Sequence, residues 1–158
     1  MQRIHRVVSG YLLAAVFAAM PGTGWASDAG QLQVVQGMEI YFGMLPSEIF
    51  QGHPKGHPEG TMHDGVPAKA NSYHLLVALF NRATGKRIGD AEITASVSEE
   101  TKPGPHKKLE PMLMAGTASY GNFFSMPSSG PYRIHVQIHR AGVSGVIEAE
   151  FDYLRARA

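Results

Sequence analysis

The amino-acid sequence predicts an all-β domain: an immunoglobulin-like antiparallel β-sandwich of about seven strands, behind a cleaved signal peptide. Three observations carry this. Apolar and polar residues alternate with a period of two through several stretches between Ser72 and Tyr153. Turn-forming residues recur there roughly every 8–12 positions, the spacing of a sandwich. No stretch beyond residue 26 holds an apolar period of 3.6, so no helix is expected in that part.

The export expectation rests on residues 1–26. Arg3 and Arg6 give a positive start, Val7–Met20 is almost wholly apolar, and Pro21-Gly22 break the run before small residues at Gly24-Trp25-Ala26. That is the layout of a secretory signal read by signal peptidase, with cleavage after Ala26. The apolar run falls short of the roughly 20 residues needed to span a bilayer. Residues 27–158 are then one domain, exported to the periplasm, with no membrane anchor left after cleavage. No cysteine is present, so neither a lipid-anchored cysteine nor a disulfide is available.

The elements follow in order. Leu32–Met44 is apolar and β-prone with an interruption at Gly37, and reads as one bent strand or two short ones. Pro46 starts a turn. Residues 51–71 are rich in Gly and Pro, keep no hydrophobic period, and form a long loop, a feature that in compact domains usually serves function or is disordered. Tyr73, Leu75, Val77 and Leu79 alternate with His74, Leu76, Ala78 and Phe80, so both faces are largely apolar, as in a central strand. Residues 81–87 make a hairpin connection, and Ala91–Ser98 a strand with one wet face. Lys107–Met114 carries Pro111, which places it at an edge or bulge. Tyr120–Met126 is aromatic-rich. Tyr132–His139 and Ile147–Tyr153 are joined by the short loop Ala141-Gly-Val-Ser-Gly145. That hairpin sets His135 opposite Glu150 and Gln137 opposite Glu148.

Charge excludes two function classes. The chain carries a formal net charge of +1, and removal of Arg3 and Arg6 leaves it one unit below neutral. There is no basic footprint for nucleic acid and no basic amphipathic helix for a membrane surface. Enzyme motifs are also missing. The sequence has no Gly-x-Ser-x-Gly elbow, no His-Glu-x-x-His, no phosphate-binding glycine loop and no cysteine nucleophile. A catalytic role is not expected.

What stands out is histidine and methionine without thiol. Gly52-His53-Pro54-Lys55 is followed by Gly56-His57-Pro58-Glu59, a tandem repeat, and then by Thr61-Met62-His63-Asp64. Imidazole suits copper, zinc and nickel, whereas thioether favours reduced copper. Proline stiffens each repeat and glycine lets the chain turn back, so several ligands can converge. The competing reading is a solvated linker with incidental histidines. His74 opens the central strand where the loop returns, and is expected at the rim of the sandwich near Met62 and His63. Met112 is the candidate methionine from another strand, with Met114 and Met126 as alternatives. His135 and His139 share a face but stand about 13 Å apart at strand spacing, too far to chelate together.

Several segments have a familiar pattern. Tyr73-His-Leu-Leu-Val-Ala-Leu-Phe80, Thr84-Gly85-Lys86 and Gly130-Pro-Tyr-Arg-Ile-His-Val136 together resemble the small YtkA-like (FixH-like) periplasmic β-sandwich domains, over roughly Ser72–Tyr153. The resemblance implies a setting in copper handling or cytochrome oxidase assembly, although FixH proteins proper are membrane-anchored. The chain is also loosely similar to small periplasmic copper carriers that bind through His and Met at a sandwich rim. His63, His74, Met62 and Met112 are the matching residue types.

The expected function is therefore a periplasmic metal-binding protein, for copper first, with zinc and nickel as alternatives. It would act as carrier, buffer or delivery chaperone to a periplasmic or membrane-bound acceptor. Its ligands are Met62, His63, His74, His53, His57 and Met112. The alternative is a non-metal interaction module that assists assembly of an envelope or respiratory complex.

Overall fold

A computed structural model of the chain describes residues 30–51, 65–67, 69–114 and 116–157. The expected signal peptide, residues 1–26, and the histidine-rich residues 52–64 lie outside them. Nine strands and one helical turn follow in order: β1 Leu32–Val35, β2 Met38–Pro46, α1 Glu48–Gln51, β3 Ser72–Asn81, β4 Arg87–Ile88, β5 Ala91–Glu99, β6 His106–Met114, β7 Thr117–Ser125, β8 Gly130–Arg140 and β9 Ile147–Arg155. Every ladder is antiparallel, as the alternation requires.

The strand count exceeds the expected seven for local reasons. Leu32–Met44 splits into β1 and β2 because Gln36 and Gly37 both take positive φ, 49° and 75°. This is the two-residue hairpin whose twist matches that of its flanking strands. β4 is two residues long and leaves no periodic signal. Among the described residues the single turn of α1, in a region where no helix was expected, is the one departure from all-β structure. Among the described residues no helix is long and apolar enough to cross a membrane.

The strands run β1-β2-β3-β7-β6-β5-β8-β9, with β4 beside β3. Two layers result, joined by β6. Its first half pairs with β5 (Ser96 opposite His106, Ile93 opposite Leu109) and its second with β7 (Glu110 opposite Gly121, Met114 opposite Thr117). Pro111 falls in the second half, which has a described strand on one side only, the place where a missing N–H is tolerated.

The inner faces of both layers meet in one core. Ile40, Leu75, Val77 and Leu79 come from one layer, Ile93, Ile134, Val136 and Ile138 from the other, all at 0–1 % exposure. Burying each such side chain contributes about 1.5–3 kcal/mol, which a chain without disulfides needs. Tyr132, near the start of β8, donates its hydroxyl to the Ser128 carbonyl at 2.9 Å and accepts from the Ser128 N–H at 3.0 Å. This is the tyrosine-corner arrangement of sandwich folds.

The circuit closes by a side chain. At the seam between β1 and β9 the Gln33 amide bonds both backbone groups of Glu150: Nε2 donates to the carbonyl, and Oε1 accepts from the N–H at 3.2 Å. Gln33 thus stands in for a strand at that one rung. The β8–β9 register is the one read from the sequence, His135 opposite Glu150 and Gln137 opposite Glu148, with Gln137 bonded to Glu148 at 3.1 Å.

Candidate metal centre

His74 lies on β3 with β2 on one side and β7 on the other, opposite Leu45 and Phe123. Its side chain leaves the sheet on the face away from the main core. That face is nonetheless covered: His74 has 0 % exposure. It was expected at the rim rather than in the main core; it lies outside the main core but is fully covered. Alternation along β3 was read properly, but other elements supply the cover. Phe50 of α1 meets the imidazole with ring centroids 5.1 Å apart, Phe123 meets it at 4.6 Å, and Phe50 and Phe123 lie edge-on to each other at 6.1 Å.

Gly121 explains where the ring goes. A Cβ built there would stand 2.6 Å from His74 Cε1 and 2.9 Å from Nε2. The ring therefore occupies the space over β7 that a side chain at 121 would fill. A glycine inside a strand often marks such a close approach.

The two ends of the segment before β3 are fastened together beside this histidine. Ser47 donates its N–H to the Ser72 carbonyl at 2.9 Å, and Met126 donates to the Asn71 carbonyl at 2.9 Å. Asn71 has a φ of 63°, a conformation asparagine tolerates better than most residues. Arg155 of β9 bonds the Asn71 side chain at 2.5 Å and the Tyr73 hydroxyl at 2.9 Å, with its guanidinium 5.5 Å from the Tyr73 ring centre. The chain thus leaves at Phe50 and returns at Asn71, both next to His74.

Of the expected ligands, His53, His57, Met62 and His63 lie outside the described residues. Met112 is buried on the same outer face, opposite Ser119. The ladder sets His74 opposite Phe123, four positions from Ser119 and two strands from Met112, which amounts to roughly 16 Å at strand spacings. That is a separation of backbones; the His74 ring itself reaches over Gly121, one strand and two positions from Met112. Met126, at 0 % exposure, belongs to the main core. His135 lies 3.9 Å from Glu148, a cross-strand polar contact.

Among the described residues no three His, Cys, Asp or Glu side chains converge as a metal-binding group. A surface groove of about 740 Å³ is elsewhere, between the β5–β6 loop and the start of β8, lined by Glu99, Lys102, Tyr132, Arg133 and Asp152. It is open and of mixed charge. Sequence reasoning missed Phe50 and Gly121 as neighbours of this histidine. A lone glycine in the aromatic run of β7 was the available signal.

No protein-family model matches the chain, and no curated protein matches it in sequence. Solved structures do share its architecture. Copper-reconstituted P19 protein from Campylobacter jejuni matches with a TM-score of 0.61 at 16% identity, over 80% of this chain and 93% of that one. FetP from uropathogenic Escherichia coli strain F11 matches with 0.58 at 19% identity, over 81% and 95%. A DUF4426 family protein from Pseudomonas aeruginosa matches with 0.55 at 13% identity, over 78% and 94%. These likenesses do not show a YtkA-like or FixH-like relation. At such identities what the chain has in common with them is the fold: a small all-β domain of the same architecture and nearly the same extent.

Proposed function

We propose that this chain is an exported copper-binding protein of the periplasm, a carrier, buffer or delivery factor without catalytic activity. One observation carries the reading most directly. His74 is held rigidly at the fastened ends of a segment that contains His53, His57, Met62 and His63. A fixed imidazole joined by imidazole and thioether from an adjacent segment makes a soft mixed site suited to copper. The fold shared with copper-reconstituted P19 supports the choice of metal and of compartment. Met112, buried on the same outer face of the sheet, stays a candidate methionine ligand.

The test is a titration of residues 27–158 with cuprous ion anaerobically, and with cupric, zinc and nickel ions in air, followed by thermal unfolding. A specific site at hundredfold excess over Kd stabilises the native state by about 2.7 kcal/mol, several degrees in Tm for a domain of this size. His63→Ala and His74→Ala each lose most of that rise. His135→Ala and His139→Ala keep it. Because His74 is buried, its variant is less stable without metal, so the comparison is of metal-induced shifts. If copper shifts nothing in the unsubstituted protein, the interaction-module reading replaces this one.

A further inference from the structure

The two layers turn different outer faces to solvent. On β5, β8 and β9 the outward side chains include Glu92, Arg133, His139, Glu148 and Glu150, the polar alternation usual for a sandwich. On β2 and β3 the outward residues include Tyr41, Gly43, Leu76, Ala78 and Phe80, and none of these is charged. Tyr41 is 38 % exposed and meets the Phe80 ring edge-on at 5.5 Å.

Size alternates across this second face. Gly43 stands directly opposite Leu76, and Tyr41 directly opposite Ala78. Among the described residues no atom lies within 4 Å of the place a Cβ would take at Gly43, so a hole lies beside the Leu76 knob. At the end of the face Glu39 is opposite Phe80, and the Arg87 guanidinium lies 4.7 Å from the Phe80 ring centre. Arg87 donates to the Ala118 carbonyl and the Ser119 hydroxyl, which leaves other N–H donors of its fork. Among the described residues neither Glu39 nor Arg87 has an ion-pair partner.

We propose that this face docks a second copy of the chain, about a two-fold axis running along the strands between β2 and β3. Such an axis lays β3 of one copy over β2 of the other, rung for rung. Leu76 then seats on Gly43 of the second copy, Tyr41 on Ala78, and Glu39 meets the Arg87 that stacks on Phe80. Each contact occurs twice, as an isologous interface requires. A large side chain over a small one fills the roughly 10 Å between stacked sheets without a void. The occupant is a second copy because the pattern is its own complement: small answers large, and acid answers base. The footprint, about four strands by seven residues, measures roughly 19 Å by 23 Å. That is small beside a standard interface, so the dimer is reversible. It does not depend on the copper reading.

The experiment is sedimentation velocity of the processed protein over a dilution series reaching sub-millimolar concentration, with Gly43→Leu and Glu39→Arg. Gly43 has no positive φ and its new side chain enters open space, so the monomer keeps its fold while the hole for Leu76 is filled. Glu39→Arg sets like charges against Arg87 of the other copy. Thermal unfolding at high dilution checks both variants, and Tyr41→Lys, at an exposed position, replaces either one if its Tm falls. The expected result is a dimer in the unsubstituted protein and a Kd at least tenfold weaker in each variant. A protein that stays monomeric, or a loss of less than tenfold in either variant, overturns the proposal.

Discussion

Replacing Gly121 by alanine tests the geometry of the buried histidine without any metal. The added methyl would lie 2.6 Å from His74 Cε1, 2.9 Å from Nε2 and 3.0 Å from the Leu75 carbonyl oxygen. Ordinary contacts are about 3.5–4.0 Å, so the ring must retreat by about 1 Å. Phe50 and Phe123 close off that retreat. Overpacking of this kind costs about 1–3 kcal/mol, a fall in Tm of roughly 3–10 °C for a domain of this size. Gly121 does not have a positive φ, so backbone strain does not contribute. The decisive assay is a double-mutant cycle by denaturant unfolding. In a His74→Ala background the methyl finds space, and Gly121→Ala costs only what the tight Leu75 oxygen imposes, a few tenths of a kcal/mol. The coupling between the two positions should exceed about 1 kcal/mol. Equal costs in both backgrounds would refute the claim that the imidazole fills the place of a side chain at 121.

Other outcomes follow from the same structure. Gln33→Ala removes both bonds to the Glu150 backbone; because they are exposed, the loss is about 1 kcal/mol, and amide exchange at Glu150 accelerates while that at core residue Val136 does not. Burial raises the Tyr153 hydroxyl above its ordinary value of 10.0, with Tyr73 adding to the rise and Arg155 opposing it. The folded state therefore disfavours the phenolate, so this contribution is fully present below pH 10 and is lost as pH rises through the raised value. Unfolding curves at pH 8 and pH 11 should show a drop in stability that Tyr153→Phe reduces. Intact-mass measurement of secreted material should give a chain beginning at Ser27 or within a few residues of it.

The parts of the fold legible in the sequence are those that local chemistry specifies. Alternation placed β3, β5, β8 and β9, and the five-residue loop Ala141–Gly145 is short enough to set the His135–Glu150 register by itself. Gly37 marked the β1–β2 hairpin, and Pro111 marked the exposed side of β6. The candidate site was harder for a physical reason. Alternation says that His74 leaves the sheet opposite Leu75, but not whether anything lies above it. Its cover comes from Phe50, in a helical turn too short to show a period, and from Phe123, whose register against β3 no local signal sets. The same non-local register sets Met112 one strand and two positions from Gly121. Pairings between distant strands depend on the whole chain, so composition could nominate ligand types but not their neighbours.

The β2–β3 ladder runs without interruption from Met38 opposite Asn81 to Pro46 opposite Tyr73. Its last rungs hold the two ends of the chain between Ser47 and Ser72 side by side. The entropy of closing a loop grows only with the logarithm of its length, about 0.6 kcal/mol for each doubling. Residues inserted into or removed from the Gly-His-Pro repeats would barely alter the stability of the strands beneath. The number of repeats is thus nearly free of folding constraint, and the segment can be lengthened, shortened or recomposed to tune what it captures.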